Sequence, residues 1–220
     1  MIFINFKTYE AGSGTDAIRL VQLIETLADE YQIKIIPVLQ ASDLKEANEL
    51  SKLELWSQKV DPIDYGAHTG GILPEAVLED GASGTFLNHS EAKFTDHEAL
   101  EAAVKRCSEV GLKTLVFAGS INELSKVLKL NPTFVAYEPP ELVGSKEKSV
   151  TSEVPEIITH AYELARSAGI PLIVGAGIKS KEDIAKSLRL GAVGVAVASD
   201  VVAASNPAEE LRDLITGFQE

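Results

Sequence analysis

The chain has 220 residues, a formal net charge of −13, and 45% hydrophobic against 24% charged residues. That charge argues against nucleic acid or an anionic membrane surface as a partner, no apolar run approaches the ~20 residues of a membrane span, and the single cysteine, Cys107, excludes an intrachain disulfide and fits a reducing, cytoplasmic setting. An anionic substrate would meet a repulsive average field, so a site for one must supply local positive potential, as backbone N–H groups and helix N-termini can.

The chain opens on residues 2–6, I-F-I-N-F, which read as a buried strand rather than a leader peptide. Ile18, Val21, Leu23, Ile24 and Leu27 then repeat at three and four, the face of an amphipathic helix. A strand over 33–38 follows, then a short helix over 44–50, a weaker strand near 53–60, and a helix over 74–79. The next strand is 85–87, followed by a helical face of Leu100, Ala103, Val104 and Cys107. Strand 114–117, helix 123–128 and strand 133–136 continue the alternation. Val154, Ile157, Ile158, Ala161, Leu164 and Ala165 form another helical face, and strand 171–174, helix 181–190, strand 193–197 and helix 207–218 complete the chain. Gly111, Gly169 and Gly191 each follow a helix and precede a strand, as helix-ending glycines do. Asn206-Pro207 sets a cap before a proline in a first helical turn.

Short, continuous, β-branched runs are the mark of parallel strands covered on both faces. Eight strand–helix units without a linker or a composition break predict one α/β domain over residues 1–220. It is a (β/α)₈ TIM barrel, with eight parallel strands inside outer helices, rather than an open doubly wound sheet.

In such a barrel, polar residues just past the strand C-termini are the functional candidates. After the first strand, alternation sends Asn5 and Lys7 to one side and Phe6 to the other. The fourth ends in Asn88-His89-Ser90-Glu91, four polar residues behind a buried run. The sixth ends in Tyr137-Glu138-Pro139-Pro140, where a partly desolvated carboxylate becomes a better general base. The seventh and eighth end in Gly175-Ala176-Gly177 and Ala198-Ser199-Asp200, small residues whose amides a phosphate can approach. Each alone has a plainer reading: a solvated lysine, a structural histidine, a proline-capped strand, a glycine turn. Together they fall on one face of one barrel, which independent accidents would not arrange.

The set resembles triosephosphate isomerase, and the loops look like the short archaeal form of that family. The resemblance rests on N-F-K-T-Y at 5–9, V-D-P-I-D-Y-G-A-H-T-G at 60–70, L-P-E-A-V at 73–77, F-L-N-H-S-E at 86–91, Y-E-P-P-E-L-V-G at 137–144, G-A-G-I at 175–178 and V-A-S at 197–199. These segments recur in family order along the whole chain. The resemblance implies interconversion of dihydroxyacetone phosphate and D-glyceraldehyde 3-phosphate, a reaction of glycolysis and gluconeogenesis, without metal or organic cofactor. Glu138 would move the carbon proton. Neutral His89 would donate a hydrogen bond to the carbonyl oxygen and pass protons between the two oxygens. That pairing of a glutamate base with a neutral histidine is the family's known arrangement. Lys7, with Asn5 beside it, would stabilise the enediolate and the phosphate. Val143, Gly144, Gly177, Ala198 and Ser199 would surround the phosphate. Ser90 would hold Glu138 in an open state, and Glu91 would pair with Lys7.

The resemblance further implies a homodimer or homotetramer, with the loop carrying His68, Thr69 and Gly70 reaching a neighbouring subunit. Residues 139–146 are expected to form a lid that brings the Gly144 amide to the phosphate. Three departures from the family pattern stand out. The lid runs Gly144-Ser145-Lys146 where Gly-Thr-Gly is usual, Gly177 stands where many members have serine, and Asp200 follows the phosphate-binding pair, where it is expected to cap the next turn. The alternatives are another phosphate-binding barrel enzyme, such as an indole-forming lyase or an epimerase, or a decayed homologue that binds phosphate without turnover. An epimerase would carry metal-ligand histidines and aspartates at several strand ends, and His68, His89, His97 and His160 do not supply them.

Overall fold

The computed structural model describes residues 1–139 and 155–219. Eight parallel strands pair in sequence order and close: β1 (Ile2–Asn5), β2 (Ile35–Leu39), β3 (Leu55–Ser57), β4 (Ala82–Leu87), β5 (Lys113–Ala118), β6 (Phe134–Tyr137), β7 (Leu172–Val174) and β8 (Gly194–Val197). The seam between first and last strand runs Ile2 against Val195, Phe3 against Ala196 and Ile4 against Val197. Around the barrel lie α1 (Gly14–Tyr31), α2 (Ala41–Leu50), α3 (Pro74–Glu79), α4 (His97–Val110), α5 (Ile121–Val127), α6 (Pro155–Ser167), α7 (Lys181–Arg189), α8 (Ser199–Val202) and α9 (Pro207–Thr216). This is the TIM barrel that the alternation predicts. Among the described residues, no helix is long and apolar enough to cross a membrane.

Side-chain alternation sorts the core into two layers. Ile2 and Ile4 point outward into the layer between strands and helices, with Val21, Ile24, Leu27 and Leu211 from the helices. Phe3 points inward with Ile36, Trp56, Phe86, Phe117 and Ile173. The inner rings touch in series: Phe134 to Trp56 at 6.2 Å, Trp56 to Phe3 at 5.0 Å, Phe3 to Phe86 at 5.8 Å and Phe86 to Phe117 at 4.8 Å. Phe117 then meets the His89 ring edge-on at 4.9 Å, so the packed interior ends on a candidate catalytic side chain. The indole fits because β4 carries Gly84 opposite it. A Cβ there would fall 2.6 Å from Trp56 Cε2.

Several boundaries differ from the sequence expectation. The strand read over 33–38 starts at Ile35, because Gln32 takes a left-handed conformation to end α1 and the Ile33 N–H still bonds back to Ala28. The weak run over 53–60 yields only three strand residues, and its register with β4 shifts between Leu55 and Trp56. Its flanks are polar for a reason. Glu54, at the N-terminal mouth, accepts from Lys34 at 2.6 Å, Lys113 at 2.9 Å and Trp56 Nε1 at 3.0 Å. Burial raises the Glu54 carboxyl, but these hydrogen bonds outweigh it and bring it down to about 2. Val154, expected in the sixth helical face, lies outside the described residues. Asp200 does not cap the turn after β8. Ala198 occupies the cap position and Asp200 lies in the first turn of α8, where a carboxylate suits the helix dipole as well.

Candidate active site

A cavity of about 600 Å³ opens at the C-terminal ends of the strands. Its lining includes Asn5, Lys7, His89, Glu138, Gly177 and Ser199. Phe6 is fully buried outside the barrel while Asn5 and Lys7 line the cavity, as strand alternation requires.

The Lys7 backbone takes φ 46, a left-handed conformation that lysine rarely adopts. Its N–H donates to Asn5 Oδ1 at 3.0 Å, and Gln58 Nε2 donates to its carbonyl at 2.8 Å, which holds the strained turn. Lys7 Nζ lies 2.8 Å from Glu91 Oε1.

β4 delivers His89 through a second left-handed residue, Asn88, at φ 60. The Asn88 side chain donates to the Phe117 carbonyl at 3.0 Å and to Glu123 Oε1 at 2.9 Å, and accepts from the Phe94 N–H at 3.3 Å. Burial raises the Glu123 carboxyl, but Lys93, the Gly119 amide and Asn88 outweigh it and hold it below the usual range. His89 is thus set by a buried network behind it. Its Nδ1 accepts the Glu91 N–H at 3.2 Å, and its Nε2 lies 3.3 Å from Glu138 Oε1.

Glu138 is 4% exposed, and its N–H bonds the Ala118 carbonyl at 2.9 Å. The other carboxylate oxygen accepts from the Ser90 main-chain N–H at 3.2 Å. Among the described residues the buried Ser90 hydroxyl has no hydrogen-bond partner, so its contact with Glu138 is made by the amide alone. Gly175 gives the carboxylate stem room, since a Cβ there would sit 3.3 Å from Glu138 Cβ.

At the far end of the cavity, Gly177 takes φ 68, a conformation that favours glycine. Ala198 and Ser199 open α8, where the Ala198 carbonyl accepts the Val201 and Val202 N–H groups at 3.1 and 2.9 Å and the Ser199 and Asp200 N–H groups are left without an acceptor in the helix. Asp200 also lines the cavity. Of the four histidines only His89 does, since His68 sits in the loop after β3, His97 begins α4 and His160 lies on α6. Val143 and Gly144, and all of the expected lid except Pro139, lie outside the described residues.

Four residues at the site carry no distinct signal in the sequence. Asn88 was visible only as one of a polar run, Glu123 and Gln58 act from other units, and Lys179 lines the cavity one residue after Gly-Ala-Gly-Ile. The signal for Lys179 was a lysine at a strand end in a strongly acidic chain.

A closed eight-stranded parallel barrel with a lysine, a histidine and a buried glutamate converging on its C-terminal mouth defines a TIM-barrel enzyme. The family model for triosephosphate isomerase matches residues 1–217. The chain is 40% identical over 217 residues to the triosephosphate isomerase of Saccharolobus solfataricus, covering 98% of this chain and 95% of that protein. Identity to the triosephosphate isomerase of Methanocaldococcus jannaschii is 36%, over 98% of each chain. In fold, it matches the crystal structure of triosephosphate isomerase from Bartonella henselae with a TM-score of 0.77 at 18% identity, covering 100% of this chain and 98% of that one. The chain belongs to the triosephosphate isomerase family, and its activity is that of a triosephosphate isomerase.

Proposed function

We propose that isomerisation runs through Glu138, His89 and Lys7 acting on dihydroxyacetone phosphate and D-glyceraldehyde 3-phosphate. The observation that carries this reading is the 3.3 Å approach of His89 Nε2 to Glu138 Oε1 in a cavity that Lys7 also lines. Glu138 removes a proton from the carbon beside the carbonyl. The C–H electron pair becomes the enediolate double bond and the carbonyl oxygen takes the charge. The Nε2–H of His89 and the Lys7 ammonium stabilise that oxygen. His89 then passes a proton between the two oxygens, and Glu138 returns its proton to the neighbouring carbon. No step in this scheme calls for a metal or cofactor.

The phosphate is assigned to the amides of Gly177, Ala198 and Ser199, supported by the left-handed glycine and by the start of α8 at Ser199, all three residues lining the cavity. The family resemblance adds Val143 and Gly144. Asn5 and Glu91 support Lys7, and Ser90 supports Glu138.

We also infer self-association as a homodimer or homotetramer, in the cytoplasm. Tyr65 is 75% exposed on the loop after β3. Arg106 stiffens that loop by donating to the Ile63 carbonyl at 3.3 Å and pairing with Asp64 at 3.0 Å. A projecting, pre-shaped loop suits a partner surface. Sedimentation at several protein concentrations tests this, and a single monomeric species throughout would overturn it. The catalytic reading is tested by a coupled isomerase assay on the wild type beside Glu138→Asp. An inactive, correctly folded wild type would leave the phosphate-binding homologue without turnover.

A further inference from the structure

The charged groups of the cavity are unequally partnered. Lys7, Glu138, Lys179 and Asp200 line it. The Lys7 ammonium is committed to Glu91 at 2.8 Å, and the Glu138 carboxylate is engaged by His89 and the Ser90 amide. Among the described residues, the Lys179 ammonium is enclosed and makes no hydrogen bond. An ammonium carries three donors and loses its hydration on burial, so leaving it without an acceptor is costly.

The backbone around Lys179 is fixed. Its N–H donates to Asp183 Oδ2 at 3.1 Å, and the next residue, Ser180, caps α7 by accepting the Asp183 N–H at 3.4 Å. Gly177, two residues earlier, carries a left-handed turn and lines the cavity, as does Ser199 from α8. A dianion seated beside Gly177 and Ser199 would bring acceptor oxygens to an ammonium that has none among the described residues. It would also meet the positive potential that a chain of net charge −13 must supply locally.

We propose that Lys179 is a substrate-binding residue that supplies a charge-assisted hydrogen bond to the substrate phosphate and sets the preference for phosphorylated trioses. The identity of the ligand rests on the isomerase reading of this cavity; the unpartnered ammonium does not. The motif read at the end of β7, Gly175 to Ile178, stops one residue short of it.

The test compares wild type with Lys179→Met and Lys179→Arg. Inorganic phosphate is titrated calorimetrically into each, and turnover of D-glyceraldehyde 3-phosphate is followed separately. Lys179→Met is expected to weaken phosphate binding about 10- to 100-fold and to raise KM by a similar factor with kcat little changed. Lys179→Arg, which keeps the charge, is expected to recover most of the loss. The ligand-free Lys179→Met protein is expected to melt no lower than wild type, because an unpaired charge has been removed. Should the methionine variant not fold, Lys179→Gln carries the same titration. Wild-type phosphate affinity in a folded variant overturns the proposal, as does a lower melting point with unchanged affinity, which would mark a structural lysine. The titration needs no turnover. A wild type that binds phosphate but does not isomerise sinks the isomerase reading while the Lys179 comparison still stands.

Discussion

His89 accepts a hydrogen bond at Nδ1 from the Glu91 N–H, 3.2 Å away, and presents Nε2 to Glu138 Oε1 at 3.3 Å. A nitrogen that accepts carries no proton, so this geometry selects the tautomer protonated at Nε2. Nitrogen-15 NMR of the ring should therefore report Nε2–H, and a ring protonated at Nδ1 would contradict the proposed role. Glutamine at this position can still donate but cannot exchange the proton, so His89→Gln should lower kcat by roughly 100- to 10,000-fold.

Glu138→Asp shortens the side chain by one methylene without altering its charge. A misplacement near 1 Å costs roughly 100-fold, and the loss should appear in kcat because it weakens the transition state more than the ground state. Steady-state kinetics near wild type would remove Glu138 from the role of base.

Gly175→Ala tests the packing behind that carboxylate. The added methyl would sit 3.3 Å from Glu138 Cβ and 3.3 Å from Phe117 Cε1, so these groups must give by a few tenths of an ångström. The strain is small, about 1 kcal/mol, yet it pushes on the stem of the proposed base. We expect kcat to fall by about tenfold with a melting point close to wild type. A large drop in melting temperature with unchanged kcat would show that Phe117 yields instead.

The acid limb of stability should depend on Glu54, at the opposite mouth. Its carboxyl falls from 4.5 to about 2 in the folded protein. Between those values the unfolded chain binds the proton that the folded one refuses, so stability drops as the pH falls through that window. The contribution is fully present above about pH 5. Glu54→Gln should lower the neutral-pH stability by about 1–3 kcal/mol and flatten its decline between pH 4.5 and 2. Denaturant melts at pH 7 and pH 3 measure both. An equal loss at the two pH values would mean the carboxylate is not held by Lys34, Trp56 and Lys113.

The barrel was legible because its strands are apolar on both faces, so runs such as I-F-I-N and T-L-V-F stand out without alternation. Strand β3 was faint because Glu54 and Ser57 flank Leu55-Trp56, and their polar atoms are satisfied by Lys34 and Lys113 from other units and by the Lys59 carbonyl. Helix α8 was missed because four residues cannot show a helical period. The three proposed catalytic side chains were readable as strand-end polar residues. Asn88, Glu123 and Gln58 were not, because their work is done by hydrogen bonds to distant units that no local pattern encodes. The role of Ser90 was half legible: adjacency to His89 put it near Glu138, but only the fold shows that its amide makes the bond.

The seam that pairs Ile2 with Val195 has a consequence for the life of the chain before it is finished. Lys7 and Glu91 stand 84 positions apart, and the Met1 amine reaches the Val193 carbonyl across 192. The seam between β1 and β8 cannot form until β8 itself has been made. A nascent chain on the ribosome can hold Lys7, His89 and Glu138 well before β8 emerges, yet its first strand still has a bare flank with open hydrogen-bonding groups. Birth of activity and loss of that sticky edge are then one event, and quality control in the cell would have only one threshold to police.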